Sequence, residues 1–189
     1  MVTLELEAPL EVARWRPLVH WLLAVPHYVV LYFLRIVSGV LTVLSFFTIL
    51  FTGQIPEAIF DFLVMILRYQ WRVSSYVGFL REPYAPFEFT LATVDPGTDP
   101  ARLSIERPER LSRVLIFFKW FLAIPHYIVL IFVGIAAVFA WLAAFVVVLV
   151  TGRWPDGLRR FVVGVSRWIN RVYAYVGLLT DEYPPFSLS

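Results

Sequence analysis

The chain has 189 residues, of which 60% are hydrophobic, 17% aromatic and only 16% charged, with a net charge of +2. A soluble domain of this size cannot enclose that much apolar surface in one core, so the composition places much of the chain against lipid. The absence of cysteine excludes disulfides, thiolate metal sites and cysteine nucleophiles, and no basic tail or helix-turn-helix pattern points to nucleic acid.

The opening "MVTLELEAPLE" is acidic and alternates with period two, which reads as a short strand. It lacks the basic and apolar regions of a signal peptide, so insertion is expected to rely on internal helices. Helix A is predicted over 14–52. Pro26 divides it into an approach segment, "RWRPLVHWLLAV", and an apolar run from Tyr28 to Phe51 that stops at Thr52-Gly53. Arg35 is the one charge in that run, at a cost of about 2.5–3.5 kcal/mol in mid-bilayer and less if it snorkels. Helix B is predicted over 56–80, opened by Pro56 and Glu57. The exit "REPYAPF" reads as a rigid extended connection into an alternating "FEFTLA". Residues 91–101 contain the turn-rich "DPGTDP", so Phe87–Val94 and Arg102–Glu106 are expected to pair as a hairpin.

The same order then repeats. Sliding the chain by 99 positions aligns Leu4–Phe87 with Leu103–Phe186 without a gap, and about a third of the aligned positions are identical. The units are 1–90 and 102–189, the second with helix A at 112–151 and helix B at 155–179. Its apolar run, Tyr127 to Val150, carries no charge and reaches roughly 36 Å as a helix. The fold class that follows is an all-α integral membrane protein, a tandem duplication of a kinked helical hairpin. Short flanking strands would form a small sheet outside the membrane.

Two crossings per unit keep all strands in one compartment. Twelve of the sixteen Lys and Arg then lie on the strand side, and Arg153, Arg159 and Arg160 near the hairpin turns. Positive-inside bias puts the strands and both termini in the cytoplasm. The alternative lays helix B flat at the interface, with helix A a re-entrant hairpin, because Arg68 and Arg72 inside a span would be costly.

Candidate functional residues follow from the duplication. Pro26 and Pro125 bend or restart helix A, and nearby Trp15, Trp21, Trp120, Tyr28 and Tyr127 suit an aromatic belt. His27 and His126 should sit at equal depth and could face each other, as a haem or metal site or a proton-sharing pair. The simpler reading bonds each ring to a backbone carbonyl. Arg68, Arg72 and Tyr76, repeated as Arg167, Arg171 and Tyr175, share one helix face at i, i+4, i+8. That stripe is read as anionic headgroup contacts or as a partner interface, pairing in the latter case with Asp61, Glu82, Asp181 or Glu182. Asp61 and Arg160 occupy equivalent positions with opposite charge, which suggests a cross-repeat ion pair.

The sequence Trp-x-x-Ala-[Ile/Val]-Pro-His-Tyr, then Thr-Gly, then Arg-x-x-x-Arg-Val, then Tyr-x-Pro-Phe occurs in both units. It resembles an uncharacterised bacterial integral-membrane family known only as a domain of unknown function. The resemblance implies membrane location and carries no substrate, cofactor or catalytic residue. Arg35, Trp71 and Pro83 depart from their counterparts Gly134, Asn170 and Glu182. The expected function is a non-enzymatic membrane scaffold or accessory subunit, in contact with the bilayer and with other subunits or itself. The alternative is transport or handling of anionic lipids or solutes, and the third reading is a haem or metal protein.

Overall fold

The computed structural model describes all residues 1–189 and is mostly helical. In chain order it contains β1 (Val2–Leu6), α1 (Arg16–Leu23), α2 (Val25–Thr52), α3 (Glu57–Val77) and β2 (Ala101–Ile105). A 3-10 turn at Leu115–Phe117 and the short α4 (Lys119–Leu122) then lead into α5 (Ile124–Thr151) and α6 (Asp156–Val176). Helix A is two helices in each unit. The break falls at Ala24 and Ala123, and Pro26 and Pro125 sit in the first turn of the following helix, where a missing N–H costs nothing. Gly53 and Gly152 end α2 and α5 in the left-handed conformation (φ 77° and 73°), which a residue without Cβ adopts freely.

The sheet has two strands. β1 and β2 pair antiparallel with Val2 opposite Ile105 and Leu6 opposite Ala101. Phe87–Val94 is not a strand, so the expected hairpin is corrected. Arg68 occupies the space where a ladder would form: its guanidinium donates to Leu103 O (3.0 Å), Thr90 O (3.3 Å) and Ala92 O (2.8 Å). The Asp95 carboxylate accepts the Leu103 N–H at 3.1 Å.

The units exchange strands. β2 of the second unit packs on α3 of the first, and β1 of the first packs on α6 of the second. Arg68 reaches Leu103 O, and its equivalent Arg167 reaches Leu4 O at 3.1 Å, so the pairing obeys the internal two-fold relation. Three decks result. α3 lies between β2 and α2, which is why twelve of its 21 residues are buried, and α6 lies between β1 and α5.

The outer deck is apolar on the side that nothing covers. α2 and α5 each have 28 residues, about 42 Å of helix, and are long and apolar enough to cross a membrane. α2 buries only His27, Leu31, Ser45 and Ile49, and α5 only His126, Ala144 and Val148. Their opposite faces present Phe33, Val40, Phe47 and Phe51, and Phe132, Phe139, Val146 and Val150, all exposed. Helix B does not have this character in either unit, so four lipid-facing spans are reduced to two candidates.

The hairpin turns also lie where the strands lie. Leu111 N donates to Gly53 O and Val12 N to Gly152 O, both at 2.8–2.9 Å. Trp154 N donates to Leu10 O, Arg159 to Pro9 O, and Arg107 pairs with Glu57 at 3.0 Å. Residues 9–12 and 107–111 follow the strands by only a few positions, so turns and strands share one side of the molecule. The sequence-based expectation sets the turns across a membrane from the sheet; in the structure they are hydrogen-bonded to the segments that flank it.

Candidate functional site

The two signature motifs of each unit meet. Restarting the helix at Pro26 leaves the Leu23 carbonyl at the end of α1, and the Tyr84 hydroxyl donates to it at 3.1 Å. His27 turns inward and stacks on Phe87, ring centroids 4.2 Å apart and 15° from parallel. The second unit repeats both contacts: Tyr183 donates to Leu122 O at 3.1 Å, and His126 stacks on Phe186 at 4.0 Å. Pro-His-Tyr and Tyr-x-Pro-Phe are therefore the two halves of one latch.

His27 and His126 each sit in the aromatic cage of their own unit, rather than facing one another as a pair. Trp168 Nε1 donates to His126 Nδ1 at 3.0 Å. Indole nitrogen only donates, so Nδ1 must be the acceptor and the proton of neutral His126 resides on Nε2. That tautomer leaves no lone pair on the free nitrogen for iron or zinc. Tyr69, equivalent to Trp168, is hydrogen-bonded to His27 Nδ1 at 2.6 Å, and its hydroxyl, unlike an indole N–H, can serve as donor or acceptor. Both Nε2 atoms are buried without a partner.

The arginine stripe faces inward in the first unit. Arg68 and Arg72 are 2% and 0% exposed, which corrects the expectation that they contact headgroups. Their partners are Asp95, bridging Arg68 (3.1 Å) and Arg72 (3.2 Å), and Glu88, paired with Arg72 at 2.8 Å. None of Asp61, Glu82, Asp181 or Glu182 takes that place. Burial works against the Glu88 carboxylate, but hydrogen bonds from Thr98 and Thr90 and the charge of Arg72 hold its pKa below the usual range. Tyr76 and Tyr175 are buried as well. Arg167 bonds Leu4 O and Leu188 O, and Arg171 is half-buried beside Glu182 and Tyr183. Asp61 and Arg160 do not pair; Arg160 is bound instead to Asp156 one turn earlier at 2.8 Å.

Sequence reasoning passed over a second equivalent pair, His20 and Lys119, both buried. His20 stacks on Tyr76 at 4.0 Å and bonds Tyr76 O at 2.7 Å. Lys119 lies over the equivalent ring, Tyr175, donates to Thr180 O at 2.7 Å and pairs with Asp181 at 2.8 Å. Burial lowers both pKa values, against the Tyr76 hydrogen bond in one case and the Asp181 charge in the other. The available signal was a basic residue recurring at one register position within apolar surroundings.

Arg35 stands apart from these networks. It is exposed on α2, at the junction of two open grooves of about 460 and 510 Å³ that lie between α2 and α3 and are walled on the far side by the second unit, the first by Tyr173, Val176 and Leu179 and the other by Trp141. Gln70 lines both grooves, and Ser38 and Thr42 line the larger apolar-walled one's neighbour beside Leu63 and Leu67.

Residues 14–90 and 113–187 each match the family described as Domain of unknown function (DUF4389). The chain belongs to this family. No curated protein and no solved structure matches it.

Both DUF4389 units begin after their strand, so β1 and β2 lie outside the matched residues. Within the units lie the latch, the arginines and the hairpin of a long apolar helix against a buried one. The sheet that joins the two DUF4389 units is thus built from strands that the duplication repeats but that lie outside the residues matched to the family.

Proposed function

We propose that this chain is a non-enzymatic membrane scaffold whose outer deck lies in the lipid of one leaflet. The observation that carries this reading is the pairing of an uncovered apolar face on α2 and α5 with hairpin turns bonded to the strand flanks. If α2 crossed the bilayer, the turn at Gly53 would be separated from Leu111, to which it is bonded. Lying in the plane, the helices sink their apolar faces among acyl chains and leave the sheet, with Glu5, Glu7 and Arg102, in water. Exposed Trp15, Trp21, Trp120 and Tyr28 then fall at headgroup depth. The basic strand side faces the cytoplasm on the positive-inside argument.

Such a body suits an accessory role. A Cβ added at Gly39 or Gly134 would meet nothing within 4 Å, so small-residue positions on α2 and α5 are open to a partner helix in lipid or to a second copy. The embedding is tested by extraction. Wild type should remain in the membrane pellet at alkaline pH, and Phe132→Asp with Phe139→Asp should move most of it to the supernatant. Wild type released without detergent would overturn the proposal.

A further inference from the structure

We propose that the Arg35 groove binds the phosphate headgroup of an anionic phospholipid. The proposal rests on the in-plane embedding above, which sets the α2–α3 junction at the level where headgroups and acyl chains meet. Arg35 is the only charge in either long helix. The chain's ion pairs lie elsewhere and leave its guanidinium without a carboxylate. A cation so placed lacks a counter-ion, and a phosphate in the groove would supply one with bidentate geometry.

The surroundings are built for the rest of the molecule. Gln70 offers an amide donor between the two grooves, and Ser38 and Thr42 add hydroxyls on the same side as Arg35. Thr42 already donates its one proton to Ser38 O at 2.8 Å, so the Ser38 hydroxyl is the donor left on this side for a phosphate oxygen. The adjoining groove is walled by Tyr28, Leu31, Tyr32 and Trp141, an apolar track for an acyl chain.

The duplication provides an internal control. The positions equivalent to Arg35, Ser38, Thr42 and Gln70 are Gly134, Ala137, Trp141 and Ile169. All four polar groups are lost together in the second unit, while the latch, the arginine register and the helix ends are kept. Residues needed only for folding the unit would not segregate in this way. The polar set therefore belongs to a site whose Arg35, Ser38, Thr42 and Gln70 come from the first unit alone, while the second unit contributes apolar wall through Trp141, Val176 and Leu179.

The test is lipid titration of the detergent-solubilised full chain, read by thermal stability and by native mass spectrometry. The probes are phosphatidylglycerol, phosphatidylcholine and inorganic phosphate. Phosphatidylglycerol should raise the melting temperature and give a one-to-one adduct. Arg35→Gly, which installs the second unit's residue, should weaken that binding at least tenfold while lowering the ligand-free melting temperature only by the small amount that glycine costs inside a helix. Gln70→Ile should weaken it less, and Arg160→Gly not at all. Equal binding by wild type and Arg35→Gly, or equal stabilisation by phosphatidylcholine or inorganic phosphate, would overturn the assignment. Retention of Arg35→Gly in the alkaline-washed pellet separates loss of this site from failure of the embedding itself.

Discussion

Replacing Arg68 with methionine is expected to cost about 3–5 kcal/mol of stability, the range for removing one partner of a buried ion pair. Typical domains are stable by only about 5–15 kcal/mol, so the loss approaches the whole in a marginal case. The reason is geometric. Arg68 and Asp95 have side chains only 3% exposed, and without the guanidinium the Asp95 charge keeps only Arg72 as a cation. Three carbonyls, of Leu103, Thr90 and Ala92, lose their donor at the same time. Denaturant titration in detergent gives the measurement. Adding Asp95→Asn to Arg68→Met should recover part of the loss, because the stranded charge is then removed. A double variant no more stable than Arg68→Met would show that the charge is not what the arginine balances.

Neither half of the chain is expected to fold alone. Cutting between Pro96 and Gly97 opens an exposed turn, yet the fragments 1–96 and 97–189 each keep a strand whose packing surface is on the other. β1 leaves α6, β2 leaves α3, and the backbone bonds Leu111–Gly53 and Val12–Gly152 are lost. Trp154, 1% exposed and bonded to Phe79 O at 2.7 Å, would lose its pocket. Separate expression should give aggregated or degraded fragments, and co-expression a one-to-one complex that co-purifies. A monomeric, protease-resistant single fragment would contradict the strand exchange.

The duplication and its register were readable in the residues because identity at one fixed spacing has no competing explanation in hydrophobicity. Helix stops at Gly53 and Gly152 were readable for the same kind of reason, a backbone conformation that favours one residue type. Strand partners were not. "DPGTDP" advertises a local hairpin, and only the placement of Arg68 and Asp95 shows that side chains take the hydrogen bonds the hairpin would have made. The stripe of Arg68 and Arg72 has a spacing that fits a headgroup face and a buried clamp equally well. What decides is the pair of carboxylates at 88 and 95, distant in sequence and delivered by a loop. The latch between Pro-His-Tyr and Tyr-x-Pro-Phe lay in plain view as two motifs, but spacing says nothing about their contact. Apolar length, finally, is the same for a helix that crosses lipid and one that lies in it.

The most direct test of that last distinction is compartment labelling. The chain has no cysteine, so Gln54→Cys in the α2–α3 turn and Val94→Cys beside the sheet, both at exposed positions, can be probed singly in intact cells with a membrane-impermeant thiol reagent. An outer deck lying in one leaflet predicts that both sites react, or are protected, together. Reaction of one with protection of the other would place the turn and the sheet on opposite sides of the membrane and contradict the account.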